Sequence, residues 1–227
     1  KNFYKGKKVL VTGHTGFKGS WLTLWLSNMG ADVYGISDSV PTSPSNFELL
    51  NLNNKIHNFN FDILNYDSVY QTISDITPDI VFHMAAQALV RTSYDDPLKT
   101  IMVNSIGTSN ILEALRKINK EITAVIITSD KVYDNVEWIW GYKETDVIGG
   151  KDPYSASKGM AELAIKTYQE SFFSKDDSNI KLAITRAGNV IGGGDWAKDR
   201  LVPDCMKSWQ MDKAVNIRNP VATRPWQ

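Results

Sequence analysis

Tyr154 and Lys158 stand four positions apart in the run Tyr154-Ser155-Ala156-Ser157-Lys158. On a helix, that spacing puts both side chains on one face. A lysine ammonium beside a phenol favours the phenolate and draws its pKa below the ordinary value of about 10. Such a tyrosine can take the proton of a sugar hydroxyl while hydride leaves the same carbon. The pair follows a short apolar run, residues 124–128, that leads into Ser129-Asp130-Lys131. Ser129 is placed there to hydrogen-bond the reacting hydroxyl. The alternative makes it an ordinary turn residue at a strand end.

A second chemical signature lies near the start. Gly13-His14-Thr15-Gly16-Phe17-Lys18-Gly19 has the spacing G-x-x-G-x-x-G. It falls between the apolar run 9–12 and a segment with helical spacing of Trp21, Leu22, Leu24, Trp25 and Leu26. Glycines there let the backbone turn tightly and approach a pyrophosphate, while the helix N-terminus offers free N–H groups to anionic oxygens. Residues 13–19 are therefore the expected dinucleotide cradle, with His14 and Lys18 adding positive character near the phosphates. The usual acidic partner of the adenosine ribose ends the second strand. Here that place reads Ile36-Ser37-Asp38, with Ser37 in the expected slot and Asp38 one residue later. NAD is favoured over NADP. Asp62, after the third strand, either meets the adenine or caps the following helix.

The elements that must position these groups follow from periodicity. Short apolar runs at 9–12, 32–37, 58–61, 79–83, 124–128 and 181–186 read as strands. Segments 20–29, 67–76, 98–119 and 155–173 read as helices. The alternation predicts an α/β fold, a doubly wound parallel Rossmann sheet with helices on both faces and its ligands at one edge. Segments 42–54 and 134–151 read as long surface loops, which are often functional. Beyond Gly192 the pattern turns irregular, with Pro203, Pro220 and Pro225. The expected organisation is a dinucleotide-binding catalytic domain over 1–190, then the start of a substrate-binding region over 191–227 that continues past Gln227.

Composition narrows the class. Lys plus Arg equals Asp plus Glu, 25 each, and the resulting zero net charge argues against a nucleic-acid binder. No run approaches the roughly 18 apolar residues of a membrane span. The basic start, 1–8, lacks the apolar stretch of a signal peptide. One cysteine, Cys205, builds neither a disulfide framework nor a cysteine metal site, and the three histidines lack ligand spacing. No metal is expected, and a reducing cytoplasm fits. His83 reads as structural. The seven tryptophans suggest packing, with Trp138, Trp140 and Trp196 as candidate walls of a site.

Together, the glycine turn, His83-Met84-Ala85-Ala86, Asn104, and Tyr154 with Lys158 resemble the extended short-chain dehydrogenase/reductase family, the NAD-dependent epimerases and dehydratases. Ser129-Asp130-Lys131 resembles the Thr-Asp-Glu element of its nucleotide-sugar 4,6-dehydratases. The lysine in that element is similar to the CDP-glucose branch. So are the stretches 138–142, 149–154, 186–196 and 224–227. The resemblance covers nearly the whole chain.

It implies NAD as cofactor, with Ile63, Ala85, Ala86 and Asn104 joining the residues that hold it. It implies CDP-glucose as substrate, with Gln87, Arg91, Asn189, Arg218 and Arg224 as binding residues. Ordinary solvated charge is the alternative for Arg218 and Arg224. The implied reaction gives CDP-4-dehydro-6-deoxy-D-glucose and water. Tyr154 serves oxidation at carbon 4, Asp130 protonates the departing 6-hydroxyl, and hydride returns to carbon 6. Lys131 replaces the glutamate base of the sister enzymes. It acts either as a neutral base after burial lowers its pKa or as a cation that stabilises the enolate. Homo-dimers or homo-tetramers and a place in bacterial deoxysugar supply for surface polysaccharide are implied as well. An epimerase or reductase of the same superfamily would need Tyr154 and Lys158 but not Asp130-Lys131. A non-catalytic NAD(P)-binding scaffold would need neither.

Overall fold

The computed structural model describes residues 2–175 and 178–226. Strand β1 (Lys8–Thr12) lies at the centre of the sheet. Val9, Leu10 and Val11 are completely buried because both faces of the strand are covered. Successive side chains point to opposite faces. Leu10 accordingly joins the larger core cluster, while Val9 and Val11 join the smaller one with Leu26.

Helix α1 (Phe17–Asn28) supplies Leu26, and strand β2 (Asp32–Ser37) pairs parallel to β1. After a short helix α2 (Asn46–Leu49) come β3 (His57–Asn60), α3 (Tyr66–Ile76) and β4 (Ile80–His83). Two short helices follow, α4 (Val90–Asp95) and α5 (Pro97–Ile101). A π-helical segment, Met102–Gly107, then runs into α6 (Thr108–Lys117). Strand β5 (Ile122–Ile127) leads to a 3-10 turn, Asp130–Val132, and later to α7 (Pro153–Tyr168). Strand β6 (Ile180–Thr185) and helix α8 (Leu201–Gln210) complete the described elements.

Among the described residues the sheet has six parallel strands in the order β3-β2-β1-β4-β5-β6. This is the doubly wound Rossmann order. Its connections reverse direction between β1 and β4, and the crevice outside those two strand ends is where such sheets bind ligands.

The expected strands all form, each within two residues of its predicted ends. Three local expectations do not survive. Segment 42–54 is not simply loop: Ser45 accepts from Glu48 N (3.1 Å) and donates to its carboxylate (2.8 Å), a capping box that starts α2. Phe47 and Leu52 are buried. The single helix expected over 98–119 is interrupted by a π segment. Ile63 fills the space over Gly107, and a Cβ there would lie 2.5 Å from Ile63 Cδ1. Finally, the region after Gly192 contains α8 despite Pro203. Proline is tolerated in a first turn, where its missing N–H has no intrahelical partner.

His83 shows how the sheet edge is tied together. Thr108 donates its hydroxyl to Asn104 O (2.7 Å), so it accepts from His83 Nε2 (3.0 Å). His83 Nδ1 therefore accepts from the Thr12 hydroxyl at 2.7 Å, a tautomer assigned from the network. Complete burial holds the imidazole down to about 3, with the Lys158 ammonium acting in the same direction. The unfolded chain takes up this proton near pH 6.5, and the folded chain does so only near 3. This group's stability contribution is thus complete above pH 6.5 and is lost as pH falls towards 3. Urea unfolding across that window should show the decline, and a His83→Leu variant should lose this component of the slope. The variant should also be less stable at neutral pH by about 0.5–1.5 kcal/mol for each hydrogen bond removed.

Candidate active site

The glycine turn is built by close backbone approach. Gly13 adopts φ +73°, and a Cβ on it would lie 2.7 Å from Ala85 N. A Cβ on Gly19 would lie 2.1 Å from Gly13 O. Gly16 precedes α1 with no side-chain cap, and the first turn of the helix carries no acid. The N–H groups at that helix end are thus open to an anion, which suits a dinucleotide pyrophosphate.

The side chains around the turn divide into two sets. Thr15 donates to Ser39 O (2.7 Å) and Ser37 accepts from Thr15 N (3.5 Å), which binds the turn to the end of β2. Asp38 is exposed beside them. His14 points inward, with its ring between Asn58 Oδ1 (2.8 Å) and Ser37 Oγ (3.2 Å) and packed edge-on against Phe47. Burial lowers its pKa, so the positive character expected of His14 is not supplied. Lys18 stands in the first turn of α1. It lines a cavity of about 1110 Å³ together with Phe17, Ser129, Asp130, Lys131 and Tyr154.

Other residues expected at the cofactor make contacts within the protein. Asp62 accepts from Leu64 N (2.9 Å) in the loop before α3, whose cap is Asn65, accepting from Ser68 N (3.1 Å), so Asp62 does not cap that helix. Ile63 is core. Ala85 N donates to Thr12 Oγ1 (3.1 Å) at the strand crossing, with Ala86 next to it. Asn104, 1% exposed, accepts from Gln87 N (2.8 Å) and donates to Gln87 O (3.1 Å) and Ser157 Oγ (2.8 Å). All its polar groups are used to join the loop after β4 to α7. Gln87, expected to meet the substrate, instead bonds Leu89 N (2.6 Å), Leu89 O (3.0 Å) and Thr100 Oγ1 (2.9 Å).

The residues expected to carry the chemistry come together. Helix α7 starts where Asp152 accepts from Ser155 N (3.0 Å) and Pro153 occupies the first turn. That start places Tyr154 and Lys158 one turn apart, both nearly buried. The strand end carrying Ser129 is pinned by Thr128 N to Thr185 O (2.8 Å) and Asp130 N to Ala187 O (3.1 Å). Ser129 donates to Asp130 Oδ1 (3.1 Å), and Lys131 Nζ lies 3.3 Å from Asp130 Oδ2.

The expected electrostatics of the Tyr-Lys pair are reversed in this arrangement. Burial holds the Tyr154 phenol above its ordinary value, against the opposing pull of the Ser129 hydroxyl and the Arg200 guanidinium. Burial also pushes Lys158 down to about 8, with repulsion from Lys18 adding to it and the Glu162 carboxylate opposing it. Lys18 is lowered as well, first by burial and then by Arg200, while Asp130 and Asp195 raise it.

The far wall of the cavity brings together residues distant in sequence. Arg91 and Arg218 both bind Asp199, Arg91 at 3.0 Å. Asn189 and Arg224 line the same space, and the Asn189 Nδ2 group is buried without a protein partner. Trp196 is a wall, whereas Trp138 and Trp140 lie outside the lining. Sequence reasoning missed Arg200, whose buried Nε lacks a hydrogen bond. Its only signal was position, in a segment that looked irregular.

A family model described as GDP-mannose 4,6 dehydratase matches residues 10–186. The chain is 51% identical over its whole length to CDP-glucose 4,6-dehydratase of Salmonella typhimurium, of which it covers 64%. It is 28% identical to CDP-paratose 2-epimerase of Salmonella typhi, over 94% of this chain and 65% of that protein. The chain thus spans under two thirds of these relatives. Among solved structures, UDP-glucuronic acid 4-epimerase from Bacillus cereus, in complex with UDP-glucuronic acid and NAD, superposes with a TM-score of 0.81 at 28% identity. The match covers 96% of this chain and 68% of that one. The dTDP-glucose 4,6-dehydratase DesIV from Streptomyces venezuelae shares the fold, with a TM-score of 0.82 at 21% identity over 96% and 67% of the two chains.

The turn geometry makes a sharp prediction. Gly19→Ala forces its methyl into the Gly13 carbonyl, so thermal unfolding should show a loss of at least about 1–3 kcal/mol, the range typical of overpacking. Fluorescence titration should show dinucleotide binding lost. A Cβ on Gly141 meets nothing within 4 Å. Gly141→Ala should therefore stay within about 0.5 kcal/mol of the parent.

Proposed function

The chain belongs to the family described as GDP-mannose 4,6 dehydratase, and from that premise we propose that the protein converts CDP-D-glucose to CDP-4-dehydro-6-deoxy-D-glucose and water with NAD as cofactor. The observation that carries this reading is the meeting of Ser129, Asp130, Lys131 and Tyr154 around one cavity, in a chain 51% identical to a CDP-glucose 4,6-dehydratase.

The open N-terminus of α1 and the turn 13–19 would hold the dinucleotide, with Ser37 and Asp38 at its ribose end. Bound NAD would supply a reversible hydride acceptor. Tyr154 takes the proton of the sugar 4-hydroxyl, which Ser129 orients. The Arg200 guanidinium and the Ser129 hydroxyl favour the phenolate once that proton must move, and Lys158 stands one turn along the same helix face as its proposed partner. A ketone at carbon 4 acidifies the hydrogen at carbon 5. Asp130 gives a proton to the departing 6-hydroxyl, and Lys131 acts in the same elimination, 3.3 Å from Asp130. Asn189, Arg91, Arg218 and Arg224 are the proposed contacts of the nucleotide diphosphate, Arg offering a planar fork for phosphate oxygens. Residues 1–190 form the dinucleotide-binding and catalytic part in this reading, and 191–227 begin the substrate-binding part. The protein works in the cytoplasm. Among the described residues, no helix is long and apolar enough to cross a membrane.

We also propose a homo-oligomer, dimer or tetramer. Helices α5 and α7 and the π segment pack side by side. Their outer face exposes Leu98 (67%), Met102 (40%), Ile106 (50%), Met160 (45%) and Leu163 (56%). An apolar surface of this kind marks an interaction site.

Four measurements test these proposals. Full-length protein given CDP-, dTDP- and GDP-glucose should yield a 4-keto-6-deoxy sugar from CDP-glucose. An epimer, or turnover of dTDP-glucose alone, would replace the reading. Tyr154→Phe should lower kcat by about 10²–10⁴-fold, the usual worth of a positioned acid-base group. Lys131→Met should separate the half-reactions: oxidation at carbon 4 persists, while deuterium exchange at carbon 5 and loss of water cease. Sedimentation of a Met102→Glu/Leu163→Glu variant should show a smaller species than the parent.

A further inference from the structure

Glu162 takes no part in the chemistry above, yet its carboxylate is buried, 2% exposed, one turn beyond Lys158 on α7. Three segments meet on it. The Thr128 hydroxyl donates to Glu162 Oε1 (2.6 Å) at the strand end that leads directly into Ser129-Asp130-Lys131. Arg186, just after β6, binds both carboxylate oxygens, through Nε at 2.8 and 3.0 Å and through Nη2. The Arg186 guanidinium lies 4.6 Å over the Tyr133 ring, and Tyr133 stacks on Tyr142 at 4.8 Å. Its Nη1 also reaches Glu144 O (3.4 Å). One carboxylate thereby joins the helix bearing Tyr154 and Lys158, the turn bearing Asp130 and Lys131, and the aromatic loop 133–144.

Burying an ion pair costs desolvation that its Coulomb attraction often only offsets, so well-packed apolar residues would stabilise such a site at least as well. What apolar residues could not do is direct three hydrogen-bonded segments to one point. We propose that Glu162 is a positioning residue of the reaction centre: through its bonds to Thr128 and Arg186 it fixes the Ser129–Lys131 turn relative to Tyr154 and Lys158, and its carboxylate, one turn from Lys158 on the same face of α7, favours the ammonium form of that lysine. The inference rests on the catalytic reading proposed above.

The charge argument is confined by its surroundings. Lys158 is opposed by Lys18 from the first turn of α1 and supported by Glu162 from its own helix. His83, from β4, feels the Lys158 charge but is neutral. In the 3-10 turn, Asp130 and Lys131 pair with each other. Removing Glu162 leaves burial and Lys18 both acting downward on a group that already titrates near 8.

Two variants of the full-length protein separate the roles. Glu162→Gln/Arg186→Gln removes both charges, so neither is stranded in the interior. Its alkaline limb of kcat should move to lower pH, with kcat reduced by about 10²-fold, the typical cost of ångström-scale misplacement, and KM little changed. Thr128→Val removes only the tether to the strand end. It should lower kcat without moving that limb. Lys158 is also titrated directly by NMR of ¹³Cε-labelled lysine, assigned with Lys158→Met, in protein free of cofactor and substrate. Its midpoint should fall in the double variant and stay in Thr128→Val. A Lys158 midpoint equal to wild type in the double variant, or kcat within twofold of wild type in both variants, overturns the proposal. If wild-type protein turns over no nucleotide sugar, the catalytic reading fails by itself, and the NMR titration still decides whether Glu162 governs Lys158.

Discussion

The arrangement depends on a contact between two backbones. At the end of β1 the chain turns at Gly13, so close to Ala85 beyond β4 that no side chain fits between them. Gly19 allows α1 to descend onto the same carbonyl. Those approaches occur where the sheet reverses its winding, so the one place without side-chain bulk is also the place where helix N–H groups and strand ends face a common crevice. Any Cβ there would push α1 and the β4 loop apart and open the wall against which Lys18 and Phe17 stand. The buried threonines and His83 then hold the gap at its working width by hydrogen bonds, which set a distance that apolar packing alone would leave looser.

Electrostatics is arranged around burial rather than around one ion pair. Tyr154 and Lys158 sit one turn apart, yet each is governed first by its removal from water. A phenol held above its normal pKa and an ammonium held below its own both lean towards the neutral form. That inclination is opposed locally: Ser129 and Arg200 favour the phenolate, and Glu162 favours the ammonium. Proton transfer therefore draws on several flanking groups from four segments of chain, which is why the site needs the whole sheet edge and not only a Tyr-x-x-x-Lys helix.

Much of this was legible in the sequence, for identifiable reasons. Buried parallel strands are continuous apolar runs, and G-x-x-G-x-x-G between a run and a helix admits few other structures. Tyr154 and Lys158 share a face because helical geometry requires it. What escaped was decided by tertiary context. His14 and Lys18 have similar charge potential and lie in the same turn, but one folds inward against Asn58 while the other enters the cavity. Spacing carries no information about that choice. Gln87 and Asn104 enter as ligand contacts only through the family resemblance, and spacing alone did not show that their side chains also tie the loop after β4 to α5 and α7. The capping box Ser45-x-x-Glu48 was readable and would have revealed α2. The π segment around Asn104 was not, since helical spacing reads the same through residues 98–119 with or without it.

The distribution of cations adds a last constraint on what the cavity accepts. Lys18 is depressed by burial and then by Arg200, and Lys158 by burial and then by Lys18, so Lys18 is repelled from two sides, while Arg200 also acts on the Tyr154 phenol. Across the cavity, Arg91 and Arg218 share one carboxylate, Asp199, leaving positive charge in excess of its partner. A neutral ligand would leave that repulsion in place. An anion entering the space relieves it at both ends, and the relief grows as water leaves and the local dielectric falls. The same logic favours negative charge developing on oxygen at Tyr154 over positive charge anywhere near it. The cavity is thus prepared electrostatically for an anion before shape is considered, which suits the diphosphate of the proposed substrate. The Asp130-Lys131 pair, close to charge-balanced within itself, does not disturb that preparation.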